Sequence, residues 1–167
     1  MIALTAALTE LLRRDGPWTE AITRQATALQ SARHLGDRLG QANALTDPGT
    51  ARRLTGDYPG TAGDLEQALA IYRHLGDWGG EAEVLNETGT LHRLSGEPAE
   101  AEACHQQALE LAGAIGSARS EAPALAGLGR CAATAGHTAR AKTLLRQAHV
   151  IFQRIGATDT LTPAVLA

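Results

Sequence analysis

Apolar positions recur with a helical period along this chain. Leu65, Ala68, Leu69 and Tyr72 fall at i, i+3, i+4 and i+7, and Leu85, Gly89 and His92 repeat that spacing with Leu91 and Leu94 beside them. This is the stripe of an amphipathic helix. Glycines close the runs at fixed intervals: Gly16, Gly56, Gly96 and Gly136 are 40 residues apart, as are Gly36, Gly76, Gly116 and Gly156. A glycine directly after a helical run takes the left-handed conformation that ends a helix, which costs other residues steric strain. Start signals come next, with Asp37, Asp57 and Asp77 behind their glycines and Glu97-Pro98 behind Gly96, residues suited to caps and first turns. The pattern predicts eight helices near 2–14, 17–35, 38–55, 58–75, 78–95, 98–115, 118–135 and 138–155. Paired, they form four helical hairpins, an all-α fold.

Other columns keep the same period: Ala28, Ala68, Ala108 and Ala148; Ala42, Ala82 and Ala122; Leu45, Leu85 and Leu125; Gly49, Gly89 and Gly129; Leu35, Leu75, Ile115 and Ile155. Small residues at such columns mark places where helices touch. Asp47-Pro48-Gly49 breaks the pattern, because proline inside a helix removes a hydrogen bond and costs about 3 kcal/mol. The third helix is therefore expected to kink or restart at Pro48, with Asp47 as its cap.

Composition agrees with helix. The chain has 44% hydrophobic residues, 20% charged and only 3% aromatic, with 18 glycines, and strand-forming residues are scarce. No apolar run reaches the roughly 18 residues of a membrane span, and the first residues lack a signal-peptide pattern. A cytoplasmic protein without membrane contact is the expectation. The net charge of −3 and the absence of a basic block give no general attraction to phosphates, so direct nucleic-acid binding is not expected. Cys104 and Cys131 make neither a CxxC pair nor a metal finger.

The stretch Leu85, Thr88, Gly89, His92, Gly96, Ala101, His105 and Ala108, and more closely Leu125, Leu128, Gly129, Gly136, Ala141, Leu145 and Ala148, resembles the tetratricopeptide repeat. The usual period of that repeat is about 34 residues. The longer period here, with the joints Leu35-Gly36-Asp37-Arg38 and Leu75-Gly76-Asp77-Trp78, resembles the long variety found in polarity scaffold proteins and in the C-terminal arrays of bacterial SARP-type and NB-ARC (STAND) transcriptional regulators. The family aromatics are replaced by Arg52, His92 and Ala132. The resemblance implies a right-handed superhelical solenoid over residues 1–157, with repeats at about 1–37, 38–77, 78–117 and 118–157 and a 158–167 tail that looks like the start of a fifth. Both ends of such an array look open. A piece of a longer array, self-association, or packing of the tail back are the three expectations.

In that architecture the first helix of each pair lines a concave groove. Reading the groove columns gives Arg13, Arg53 and Arg93 with Ala133 in the last repeat, then Glu10, Thr50, Thr90 and Arg130 three residues earlier, then Ala6, Thr46, Asn86 and Ala126 four before those, with Asp47 and Glu87 next to them and Asn43 and Glu83 on the first turn. The arginines would pair with carboxylates of a bound peptide and the amides and hydroxyls with its backbone. An arginine on a solvated helix face also needs no ligand, and duplicated repeats would inherit the column. No histidine pair with a carboxylate sits at ligand spacing, Cys104 and His105 point about 100° apart on a helix, and no glycine loop follows a strand. No metal, no cofactor and no catalytic residue is expected. The implied function is non-catalytic protein or peptide binding as the sensor or scaffold part of a transcriptional regulator. A stand-alone adaptor or co-chaperone is the alternative, as is a small-molecule receptor or enzyme using the concave face.

Overall fold

The computed structural model describes residues 17–46 and 58–156, and every regular element among them is a helix. In chain order these are α1 (Pro17–His34), α2 (Arg38–Thr46), α3 (Tyr58–Leu75), α4 (Trp78–Ser95), α5 (Pro98–Ile115), α6 (Ala118–Thr134) and α7 (Thr138–Arg154). The expected helix at 2–14 and the break at Pro48 lie outside the described residues. The chain divides into two compact units, 1–71 and 72–167.

Among the described residues the punctuation works as the pattern predicts; Gly16, Gly56 and Asp57 lie outside them. Gly36, Gly76, Gly96, Gly116, Gly136 and Gly156 all have positive φ, between 64° and 81°. At Gly96 and Gly116 the cap N–H bonds back to the last turn of the preceding helix, which satisfies carbonyls that the helix end leaves orphaned. Asp37 and Asp77 are the matching starts, their Oδ1 atoms accepting from the N–H of Gly40 at 2.8 Å and of Gly80 at 3.0 Å. Ser117 does the same for α6 through the N–H of Ser120.

In the first unit α1 and α2 pack together. Gln41 Nε2 donates to the Ala32 carbonyl at 3.4 Å across that contact, over a small core of Ala32, Ala42, Ala44 and Leu45. Ala28 departs from its column by being exposed.

The second unit holds the larger core. α4 packs on α5, α5 on α6 and α6 on α7, and α4 also touches α6, so successive hairpins stack. Ala82, Ala122, Ala101, Ala108, Ala141 and Ala148 are all buried, which places the recurrent alanines at helix contacts. Ala122, Leu125, Ala126, Leu145, Ala148 and Ile151 form one cluster, flanked by Leu109, Leu144 and Phe152. Gly129 serves this core directly, because a Cβ there would lie 2.7 Å from Leu145 Cγ. A helix-interior glycine costs about 1 kcal/mol relative to alanine, and here it permits the close approach.

Candidate functional site

The N-terminal halves of α4 and α6 face a cleft of about 820 Å³ within the second unit. Gly79, Glu83, Asn86 and Glu87 come from α4, Ser117, Arg119, Ser120 and Pro123 from the start of α6, and Phe152 and Ile155 from the end of α7. One wall thus carries two carboxylates a turn apart, the facing wall a guanidinium and two hydroxyls, and the far end two large apolar side chains. Pro123 lies inside α6 and has no N–H for the carbonyl of Arg119 four residues back.

Beneath the cleft sits a polar pair inside the core. Asn86, only 7% exposed, donates from Nδ2 to the Ser120 carbonyl at 3.3 Å. Its Oδ1 lies 3.1 Å from Nδ1 of His105. Since the amide nitrogen is committed to Ser120, Oδ1 is the acceptor and His105 carries its proton on Nδ1. His105 is 1% exposed, and its Nε2 has no hydrogen-bond partner among the described residues. The ring fits between two glycines: a Cβ on Gly89 of α4 would stand 2.9 Å from three ring atoms, and one on Gly127 of α6 would overlap the ring. Burial first, then the guanidiniums of Arg93 and Arg130, push the imidazole down to about 4 from its ordinary 6.5. His105 is neutral at physiological pH and ties α4, α5 and α6 together.

The groove columns are distributed unevenly over this site. Asn86 lines the cleft, while its side chain is bonded into the packing below. Arg93, Arg130 and Thr90 are half-buried farther along α4 and α6, the two arginines close enough to His105 to act on its charge. Asn43 is exposed on α2 in the first unit. Arg13, Thr50 and Arg53 lie outside the described residues. Sequence columns did not single out Arg119, Ser117, Ser120 or Pro123. Proline in the second turn of α6 was the available signal, as it removes one backbone donor there. Burial raises the thiols of Cys104 and Cys131 above their ordinary range, which keeps both protonated. Among the described residues no helix is long and apolar enough to cross a membrane, and no cluster of three or more histidine, cysteine or carboxylate side chains could hold a metal ion.

The model of the family described as "Tetratricopeptide repeat" matches residues 49–114 and 80–154. The chain belongs to the tetratricopeptide repeat family. Solved structures carry the same fold at low identity. BtubC (BKLC) from P. vanneervenii superposes with a TM-score of 0.70 at 18% identity over 93% of this chain and 64% of that one. The nearly identical TPR-like repeats assigned to a kinesin light chain of Podosopora anserina give 0.64 at 16% identity, over 95% of this chain and 77% of that one. This chain therefore spans just under two thirds of the length of BtubC. No curated protein matches the sequence. As a tetratricopeptide protein the chain is a protein-interaction repeat module, and its helical hairpins are those of the family.

Proposed function

We propose that this tetratricopeptide chain is a non-catalytic module that binds a peptide segment of a partner protein along the face shared by α4 and α6, seated in the cleft at their N-terminal ends. The cleft carries the reading. It combines an apolar end at Phe152 and Ile155 with charged walls at Glu83 and Arg119. That mixture suits a peptide, which offers backbone donors and side chains of several kinds. An acidic side chain of the peptide would meet Arg93 and Arg130. Within the same proposal the module is the sensor or scaffold part of a cytoplasmic transcriptional regulator, as the joints at Gly36 and Gly76 suggest by resemblance.

A random dodecapeptide display library selected on the intact chain tests the reading. Enrichment of defined sequences is expected, and Gly79→Trp, which fills the cleft from α4, should abolish it while leaving the helical circular dichroism intact. Absence of enrichment, or enrichment indifferent to Gly79→Trp, would overturn it. The cleft volume also suits a small molecule, and that occupant would show as a chain that selects no peptide yet is stabilised by a small metabolite in a thermal-shift screen.

A further inference from the structure

A second cleft of the second unit, of about 590 Å³, is lined by α5, the start of α6 and α7, and shares no lining residue with the first. Leu109, Leu125, Val150 and Ile151 make it largely apolar, and Glu121 and Arg146 are its charged groups. Val150 is 62% exposed. One repeat earlier the same columns hold an ion pair. There Arg73 of α3 reaches Glu81 of α4 at 2.7 Å, and Glu81 stands in the column of Glu121. The column of Arg73 holds Gly113, one turn after Leu109 on α5, and the column of Glu110 holds Val150. A Cβ on Gly113 would meet nothing within 4 Å among the described residues. The cation is thus lost from one wall of the groove, and a carboxylate is exchanged for an apolar side chain on another. Among the described residues neither Glu121 nor Arg146 makes an ion pair.

We propose that a second copy of this chain occupies the groove, related by a twofold axis, so that Arg146 of each copy supplies the guanidinium that Glu121 of the other lacks and the Val150 side chains are covered between them. Charge complementarity selects this occupant. A surface that bears one unpaired carboxylate and one unpaired guanidinium beside an apolar patch is complementary to itself under a twofold rotation, which is the requirement of an isologous interface. The Arg73–Glu81 pair shows which cation this glutamate column takes inside the chain. A wholly acidic or wholly basic partner would satisfy one of the two charges and desolvate the other without a partner, which is costly. A contact of one groove lies at the small end of specific interfaces, below about 1,200 Å² in total, so the dimer forms reversibly.

Sedimentation velocity on the intact chain should show a monomer–dimer equilibrium between micromolar and submillimolar concentration. Glu121→Arg and Arg146→Glu should each weaken the dimer at least about tenfold, because each sets like charges together at both contacts. Mixing the two variants should restore association, since every contact of the mixed dimer then joins opposite charges, and the chain that carries both exchanges should dimerise like the natural one. Restoration by mixing separates a lost contact from a damaged fold. Gly79→Trp, which fills the other cleft, should dimerise normally, so this outcome and that of the peptide selection are read independently. A natural chain that stays monomeric overturns the proposal and leaves the groove to a different partner. Dimers that persist in both single variants, or that mixing fails to restore, overturn it as well.

Discussion

The ring of Tyr72 lies against the Cα of Gly80, in the space that a Cβ there would occupy. Both residues flank the α3–α4 joint, where Asp77 caps the helix through the Gly80 N–H. Gly80→Ala would force the buried ring or the cap to shift, and overpacking of this kind costs about 1–3 kcal/mol. Gly113→Ala in α5 meets nothing within 4 Å among the described residues and should gain about 0.5–1 kcal/mol through helix propensity. Urea unfolding of the two variants should move the midpoint in opposite directions.

The Asn86–His105 pair should behave as a unit. Asn86→Ala removes the acceptor for His105 Nδ1 and is expected to cost about 1–3 kcal/mol, the usual penalty for a stranded buried polar group. His105→Leu restores the residue that Leu65 and Leu145 place in the same column, and it also removes the partnerless Nε2. Combined, the two changes rebuild the Ala126 and Leu145 arrangement of the last repeat. A double-mutant cycle should return the double variant to at least natural stability, with a coupling above about 1 kcal/mol; additive losses would contradict the pairing.

Acid should weaken the fold through the same histidine. Its ionisation is depressed to about 4 in the folded chain against 6.5 ordinarily, so below pH 6.5 the unfolded chain takes up a proton that the folded one does not. Stability is then lost progressively as pH falls from 6.5 to 4 and levels off below, by up to roughly 3 kcal/mol. Unfolding free energies measured across that window should show the slope in the natural chain and a shallower one in His105→Leu.

The helix-ending glycines should tolerate replacement unequally by residue type. Gly96 has φ +81° with open space around its Cα, so Gly96→Ala suffers only the left-handed backbone penalty, about 1–2 kcal/mol. Gly96→Asn should lose less, since asparagine enters that region more readily. Thermal unfolding of the two variants would rank them.

Much of the fold was legible because the information was local. A glycine after an apolar run, an aspartate after the glycine and an alanine at each crossing speak of their own helix, and Gly96, Asp77 and Ala82 do in the structure what their positions announce. The site was less so. Asn86 read as a groove residue from its column, and it does line the cleft, but its bonds to His105 and Ser120 link three helices and leave no mark on any one of them. His105 stood where the family places an aromatic, and only comparison with Leu65 and Leu145 shows how unusual its burial is. The cleft wall at Arg119 and Pro123 depends on the facing helix one repeat away, a relation that periodicity implies without saying which side chains it opens.

Hairpins that share one lattice of glycines and alanines pose a problem during folding that unlike ones do not, because a helix can dock one repeat out of place and still find small and apolar residues in the expected positions. Gly89 and Gly127 hold room for an imidazole and Asn86 supplies its acceptor. A misplaced α5 would set His105 against Ala126, and a misplaced α7 would set Leu145 against Asn86. Either error buries a polar group without a partner, at about 1–3 kcal/mol apiece. The polar pair thus acts as an address within a repetitive sequence, costing the correct assembly little and the shifted ones more.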